Sequence, residues 1–250
     1  MFGVYSGEGD ITMEEFAASP HMNRTRAIER PLLGLTILLV EDSRFFSDAV
    51  RLMSIRSGAR LRRADCIMSA RKHIKIYRPD VILVDLGLPD GSGDELIKEI
   101  SSTPSAPPVI AMSGSQDGDK DAVVAGAALF LQKPFFDLAS FQQTVLSVMP
   151  ESAGVNGFKP RVVGDVVLPD GESLREDFGH IQEIIQHALP ALDTDRMLYC
   201  AQFLSSVAQV TGDTDLIAES IVLNTRLNAG GKWTNSCQRV LDLLNARLVA

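Results

Sequence analysis

The chain has 250 residues, 45% of them hydrophobic and 22% charged, an ordinary mixture for a folded protein with one large core or two smaller ones. Its net charge of −8 argues against nucleic acid as the main partner. No apolar run approaches the roughly 18–20 residues of a membrane span, and the acidic N-terminus lacks the basic-then-apolar order of a secretory signal, so a cytoplasmic location is expected.

Residues 1–34 show no sustained periodicity and read as a mobile extension. From Thr36 the pattern changes. Five short strand-like runs (TILLV, ARLRRA, VILV, PVIAM, LFL) alternate with five segments of helical spacing, the last being DLASFQQTVLSVM. Alternation of this kind predicts an α/β fold, a five-stranded parallel sheet with helices on both faces. Pro150 closes the unit, giving a domain over 35–150. The Gly- and Pro-rich stretch 151–172 reads as a linker, with a short extended piece at DVVL.

Residues 173–250 read as four helices, an all-α C-terminal domain. Ser173 with Glu176 has capping-box spacing, and Asp193 and Asp213 stand where helix N-caps are expected. Leu174, Phe178, Ile181, Ile185 and Leu189 fall on one face of the first helix; Leu216, Ser220, Leu223 and Leu227 do so on the third. The cysteines, Cys66, Cys200 and Cys237, are widely spaced in apolar helical patterns and read as buried thiols. The histidines, His21, His73, His180 and His187, form no metal motif.

In open α/β sheets ligands sit beyond the carboxyl ends of the strands. Here the first strand ends in Glu41-Asp42, the third in Asp85, the fourth in Ser113, and the fifth runs into Lys133-Pro134. Three carboxylates gathered at one edge repel unless a cation joins them, and hard oxygen donors suit Mg²⁺. Lys133 and the Ser113 hydroxyl would hold phosphoryl oxygens, and Asp85, centrally placed, is a candidate nucleophile.

With these residues in this order, residues 36–149 resemble the receiver domain of bacterial two-component response regulators. The resemblance implies a doubly wound, flavodoxin-like sheet of strand order 2-1-3-4-5. It further implies that Asp85 is the phosphoacceptor and Asp42 a direct Mg²⁺ ligand. Glu41 would act on the cation through water, and the Gly87 backbone carbonyl would be a further ligand. Ser113 would follow the phosphoryl group with Lys133, Phe130 would be the switch aromatic, and Pro134 would follow an often cis peptide. Pro89 and Gly93 complete the D-x-x-x-P-x-x-x-G loop of the family. Two departures stand out: the segment between Ser113 and AGA is short, and Ala128-Leu129 replace the acidic pair common before the switch aromatic. The implied upstream partner is a sensor histidine kinase or a histidine phosphotransferase.

From Glu151 onward eight basic residues face thirteen acidic ones, a balance of −5, with no basic helix face for DNA. Neither His180, followed by IQE, nor His187, followed by ALP, has the usual phosphotransfer context. No Gly-rich phosphate loop, nucleophile elbow or metal triad occurs there. The expected output is therefore a helical domain that binds a downstream protein or a second copy. A DNA-binding regulator and a phosphate sink or phosphotransfer protein are the alternatives. The chain is expected not to be an enzyme, its receiver catalysing only its own phosphorylation and dephosphorylation.

Overall fold

The computed structural model describes residues 30–114, 123, 125–150, 165–169 and 171–249. Much of the expected short fourth helix falls on residues 115–122 and 124, outside the described residues, as do residues 1–29 and 151–164.

Five strands, β1 (Thr36–Val40), β2 (Arg60–Ala64), β3 (Val81–Asp85), β4 (Val109–Ser113) and β5 (Leu129–Gln132), form one parallel sheet in the order β2-β1-β3-β4-β5. Between them lie α1 (Arg44–Ser57), α2 (Ile67–Ile76) and α3 (Gly93–Ser101), and α4 (Leu138–Ser147) follows β5. Side chains alternate across the sheet. Ile37, Leu39, Leu83, Ile110 and Met112 pack with Val50, Met53, Phe141 and Val145 from α1 and α4. Leu38, Val40, Ile82, Val84 and Ala111 pack with Ile67, Ala70, Leu96 and Ile97 from α2 and α3. Burial on both faces explains why β1 and β3 are continuous apolar runs. β2, RLRRA, breaks that rule because it is an edge strand, and only Ala64 is buried.

The helix starts follow local chemistry. The Ser43 hydroxyl accepts the Phe46 N–H at 3.1 Å ahead of α1, and Asp137 caps α4 by accepting the Ser140 N–H at 2.7 Å. Gly93 opens α3 against the backbone of β3: a Cβ there would stand 2.2 Å from the Asp85 carbonyl oxygen.

The expected mobile extension does not run to residue 34. Leu32 is fully buried in the sheet core and its N–H donates to the Ser57 carbonyl at 2.9 Å, a single-turn anchor too short to show periodicity. Within the expected linker, the Val167 N–H donates to the Phe136 carbonyl and its side chain enters the same core.

The C-terminal region is all-helical: α5 (Gly171–Ala191), α6 (Thr194–Thr211), α7 (Thr214–Asn228) and α8 (Thr234–Val249). Asp193 and Asp213 cap α6 and α7 as expected, accepting from Arg196 and Leu216 N–H. Phe178, Ile181, Ile185, Met197, Leu204, Val207, Leu216, Leu223, Val240 and Leu244 form one core. Cys200 and Cys237 are buried in that region, whereas Cys66 stands partly exposed at the start of α2.

The expected Ser173–Glu176 capping box does not form. The helix begins two residues earlier, and both side chains reach the other domain instead. Ser173 Oγ donates to Asp48 at 2.5 Å, and Glu176 pairs with Arg44 at 2.6 Å. Next to Glu176, Asp177 caps α1 from outside, accepting from Ser43 Oγ at 2.7 Å and from the N–H groups of Arg44 and Phe45 at 2.9 and 3.1 Å. Burial raises the Asp177 carboxyl pKa, and these donors oppose the shift. The four-helix region is thereby docked on the strand-end face of the sheet.

Candidate functional site

The parallel register carries Glu41-Asp42, Asp85, Ser113 and Lys133 to one edge of the sheet. Lys133 Nζ lies 2.5 Å from Glu41 Oε2 and 2.9 Å from Asp85 Oδ1, with all three side chains buried. It also sits 4.5 Å above the Phe46 ring, so an aromatic face closes the side away from the carboxylates. The Lys133 N–H is held by the Ser113 carbonyl at 2.8 Å, which ties the ends of β4 and β5 together. The Lys133-Pro134 peptide is cis, as the family resemblance implies.

One carboxylate oxygen from each of Glu41, Asp42 and Asp85 lies within 4.8 Å of the others. This crowding shows in their proton affinities. Burial pushes Glu41 up to about 7, held back by Lys133 and raised further by Asp42. Burial pushes Asp85 up to about 7 against the same ammonium, and burial plus the Asp85 charge raises Asp42 to about 6. Lys133 is held above its ordinary value because Asp85 and Glu41 outweigh the cost of burying it. The set has three acids and one base, so it is short of positive charge.

Asp42 Oδ1 is buried and has no hydrogen-bond partner among the described residues. An orphaned buried oxygen beside two more carboxylates fits a hard divalent cation, and oxygen donors of this kind suit Mg²⁺. Asp42 and Asp85 would hold it directly, with Glu41 behind them. The Gly87 N–H donates to the Asp85 carboxylate, which places the loop of the expected carbonyl ligand at the site. Gly87 pairs with Ser92 in a two-residue hairpin that folds this loop back before α3.

A family model described as the response regulator receiver domain matches residues 37–145. These residues are a response regulator receiver domain. The Escherichia coli KDP operon transcriptional regulatory protein KdpE is 33% identical over 100 residues, covering 40% of this chain and 44% of that protein. A Vibrio parahaemolyticus protein-glutamate methylesterase/protein-glutamine glutaminase is 32% identical over 125 residues, 48% of this chain and 34% of that protein. The chain thus spans less than half the length of these curated relatives. Among solved structures, the receiver domain of a Pseudomonas aeruginosa sensor histidine kinase, with a magnesium ion in its active site cleft, shows 28% identity and a TM-score of 0.43, covering 46% of this chain and 97% of that one.

One expectation is corrected by these relatives. The chain was expected not to be an enzyme, yet matched proteins include protein-glutamate methylesterases, which are enzymes. Their likeness covers only the receiver part of this chain, so it carries no ground for excluding enzymatic output.

Phe130 lies on β5, half-buried against the core beneath α3, and Ser113 ends β4. Of the receiver residues singled out from sequence, Glu41, Asp42, Asp85 and Lys133 meet at one strand-end face, Ser113 ends the neighbouring strand, and Phe130 lies within β5 beside Ala111. The C-terminal contributions to this face were missed. Tyr199 on α6 donates its hydroxyl hydrogen bond to Asp42 Oδ2. A Cβ built on Gly87 would stand 3.8 Å from Asp85 Oδ2 and 3.9 Å from Gln202 Oε1. At Gly114 a Cβ would meet Ser206 Oγ at 2.3 Å and Ser206 Cβ at 3.1 Å, so α6 crosses close over the loop after β4. Tyr199, Gln202 and Ser206 are spaced i, i+3, i+7, a polar stripe beside the apolar face of α6. That stripe is a legible signal, but spacing alone does not say which surface it meets. Beside it a cleft of about 610 Å³ opens between the domains, lined by Asp42, Arg63, Cys66, Pro89, His180 and Tyr199.

Proposed function

We propose that the chain accepts a phosphoryl group on Asp85 in a Mg²⁺-dependent reaction and passes the resulting change of state to its helical region. The observation that carries this reading is the Lys133 ammonium set between Asp85 and Glu41, with the unpartnered Asp42 oxygen beside them. Asp85 is a nucleophile held rigid by a buried strand. A carboxylate oxygen of Asp85 forms the new bond to phosphorus as the P–N bond of a phosphohistidine donor breaks, its electron pair leaving on the imidazole. Lys133 faces the oxygens where charge develops, and Ser113 donates to another of them. Bound Mg²⁺ would neutralise the excess carboxylate charge and the charge on the transferring oxygens. The donor is a sensor histidine kinase or a histidine phosphotransferase.

Ser113 and Phe130 are the proposed switch pair: movement of the hydroxyl toward the phosphoryl group frees space that Phe130 fills, which shifts a two-state equilibrium. The helical region is the proposed reader of that shift, passing it to a downstream protein or a second copy. Its support is the set of direct contacts from α5 and α6 to the phosphoacceptor face.

The test is phosphorylation of the full chain by a small acyl phosphate with Mg²⁺, read by intact mass. One added phosphoryl group in the wild type and none in Asp85→Ala is the expected result. Equal labelling of both, or of neither, overturns the assignment.

A further inference from the structure

The receiver's cation site does not end at the receiver. Asp42 has two carboxylate oxygens with different fates: Oδ1 is buried without a partner among the described residues, and Oδ2 accepts the Tyr199 hydroxyl. Tyr199 belongs to α6, 157 residues along the chain. Its ring packs on Phe203 at 6.0 Å between centroids, Ser206 of the same helix stands against Gly114, and the preceding helix α5 is held to the receiver by the Asp177 cap on α1. The hydroxyl is therefore delivered by a rigid element.

We propose that Tyr199 is a positioning residue of the Mg²⁺ site: it holds Oδ2 so that Oδ1 points toward the cation, and docking of the helical region is coupled to metal binding. Two features support this over a merely structural bond. Tyr199 takes the oxygen that is not orphaned, so it leaves the donor set intact. The arrangement also matches the general behaviour of ligating carboxylates, which need an outer partner to fix their orientation; loss of such a partner costs about 10–100-fold in metal affinity. Coupling between two sites is reciprocal, so Mg²⁺ strengthens docking of α6 by the same factor by which docking strengthens Mg²⁺ binding. The inference rests on the Mg²⁺-dependent reading above.

The test is Mg²⁺ titration of the full chain by calorimetry, with amide exchange of α6 followed in parallel. Tyr199→Phe keeps the ring and removes the donor. Its Mg²⁺ affinity is expected to fall about tenfold or more. Saturating Mg²⁺ is expected to slow α6 exchange in the wild type and to leave it unchanged in the variant. Ser206→Trp wedges α6 from the Gly114 loop without touching Asp42, and is expected to weaken Mg²⁺ binding similarly. The double variant should lose no more than either single one, because both act through the same hydroxyl. Unchanged or tighter Mg²⁺ binding by Tyr199→Phe, or an additive double variant, overturns the coupling and leaves the phosphoacceptor assignment standing. Absence of Mg²⁺ binding by the wild type overturns both.

Discussion

The receiver sheet and the helical region bury charge on different terms. In the sheet, Glu41, Asp85 and Lys133 are buried together at the strand ends, and no apolar packing replaces them. In the helical region the core is apolar from Phe178 to Leu244, and its ion pairs, Arg196–Asp193, Arg239–Glu219 and Arg247–Asp213, lie at the rim. Buried charge is a poor way to gain stability, because removing charges from water costs several kcal/mol per ion, roughly what their mutual attraction returns. The sheet therefore keeps an arrangement that stability alone would not select. The helical region has no such conflict except where it touches the sheet, at Asp177 and Tyr199. The difference teaches where chemistry resides: at the edge that sacrifices packing, and on the helix face that leans over it.

Four changes break or sharpen that contrast. The largest effect is expected at Asp85, where substitution by asparagine removes the acceptor oxygen chemistry and abolishes phosphoryl uptake; a gel or mass assay showing residual labelling would place the acceptor elsewhere. Next is Lys133→Met, which leaves two buried carboxylates uncompensated and should cost about 3–5 kcal/mol in Mg²⁺-free urea unfolding. A loss below about 1 kcal/mol would show the ammonium to be dispensable to the fold.

Leu204→Ala is the matching lesion in the helical core. Leu204 is fully buried, so the expected cost is about 2–5 kcal/mol, read as an earlier urea transition of the helical signal. Asp85 labelling should persist in that variant; if it disappears, the two regions are a single cooperative unit rather than two.

The smallest effect is expected at the rim. Arg247 lies against Asp213, which also caps α7, and the Arg247 hydrogen bond holds the Asp213 carboxyl below the usual carboxylate range. A carboxyl whose pKa is lowered by folding contributes stability that is full above its unfolded pKa and lost as pH falls through the folded one. Arg247→Ala should therefore cost about 1–2 kcal/mol at neutral pH, with the difference from wild type shrinking below about pH 4. A difference that stays constant into acid would mean the guanidinium acts through packing alone.

Much of the receiver was legible because its signals are local. Apolar runs mark β1 and β3, and four of the five strands carry a site residue at or just past their carboxyl ends. The edge strand β2 and the Leu32 anchor were less legible, since an exposed edge suppresses the apolar run and one turn has no period. Helix faces in the C-terminal region were equally readable, because Leu216, Ser220, Leu223 and Leu227 repeat at helical spacing whatever they pack against. Ser173 and Glu176 misled for a related reason. Their spacing suits a cap, but the same side chains served better as partners for Asp48 and Arg44 on another domain.

The sequence by itself determined the alternation of strands and helices, the Asp193 and Asp213 caps, and the strand-end positions of Asp42, Asp85, Ser113 and Lys133, because each depends on neighbours a few residues away. Only the tertiary structure decided that Tyr199 meets Asp42 and that Asp177 caps α1, more than a hundred residues away. Such contacts depend on how two finished surfaces fit, and a docking surface assembled from separate elements leaves no periodic trace along the chain.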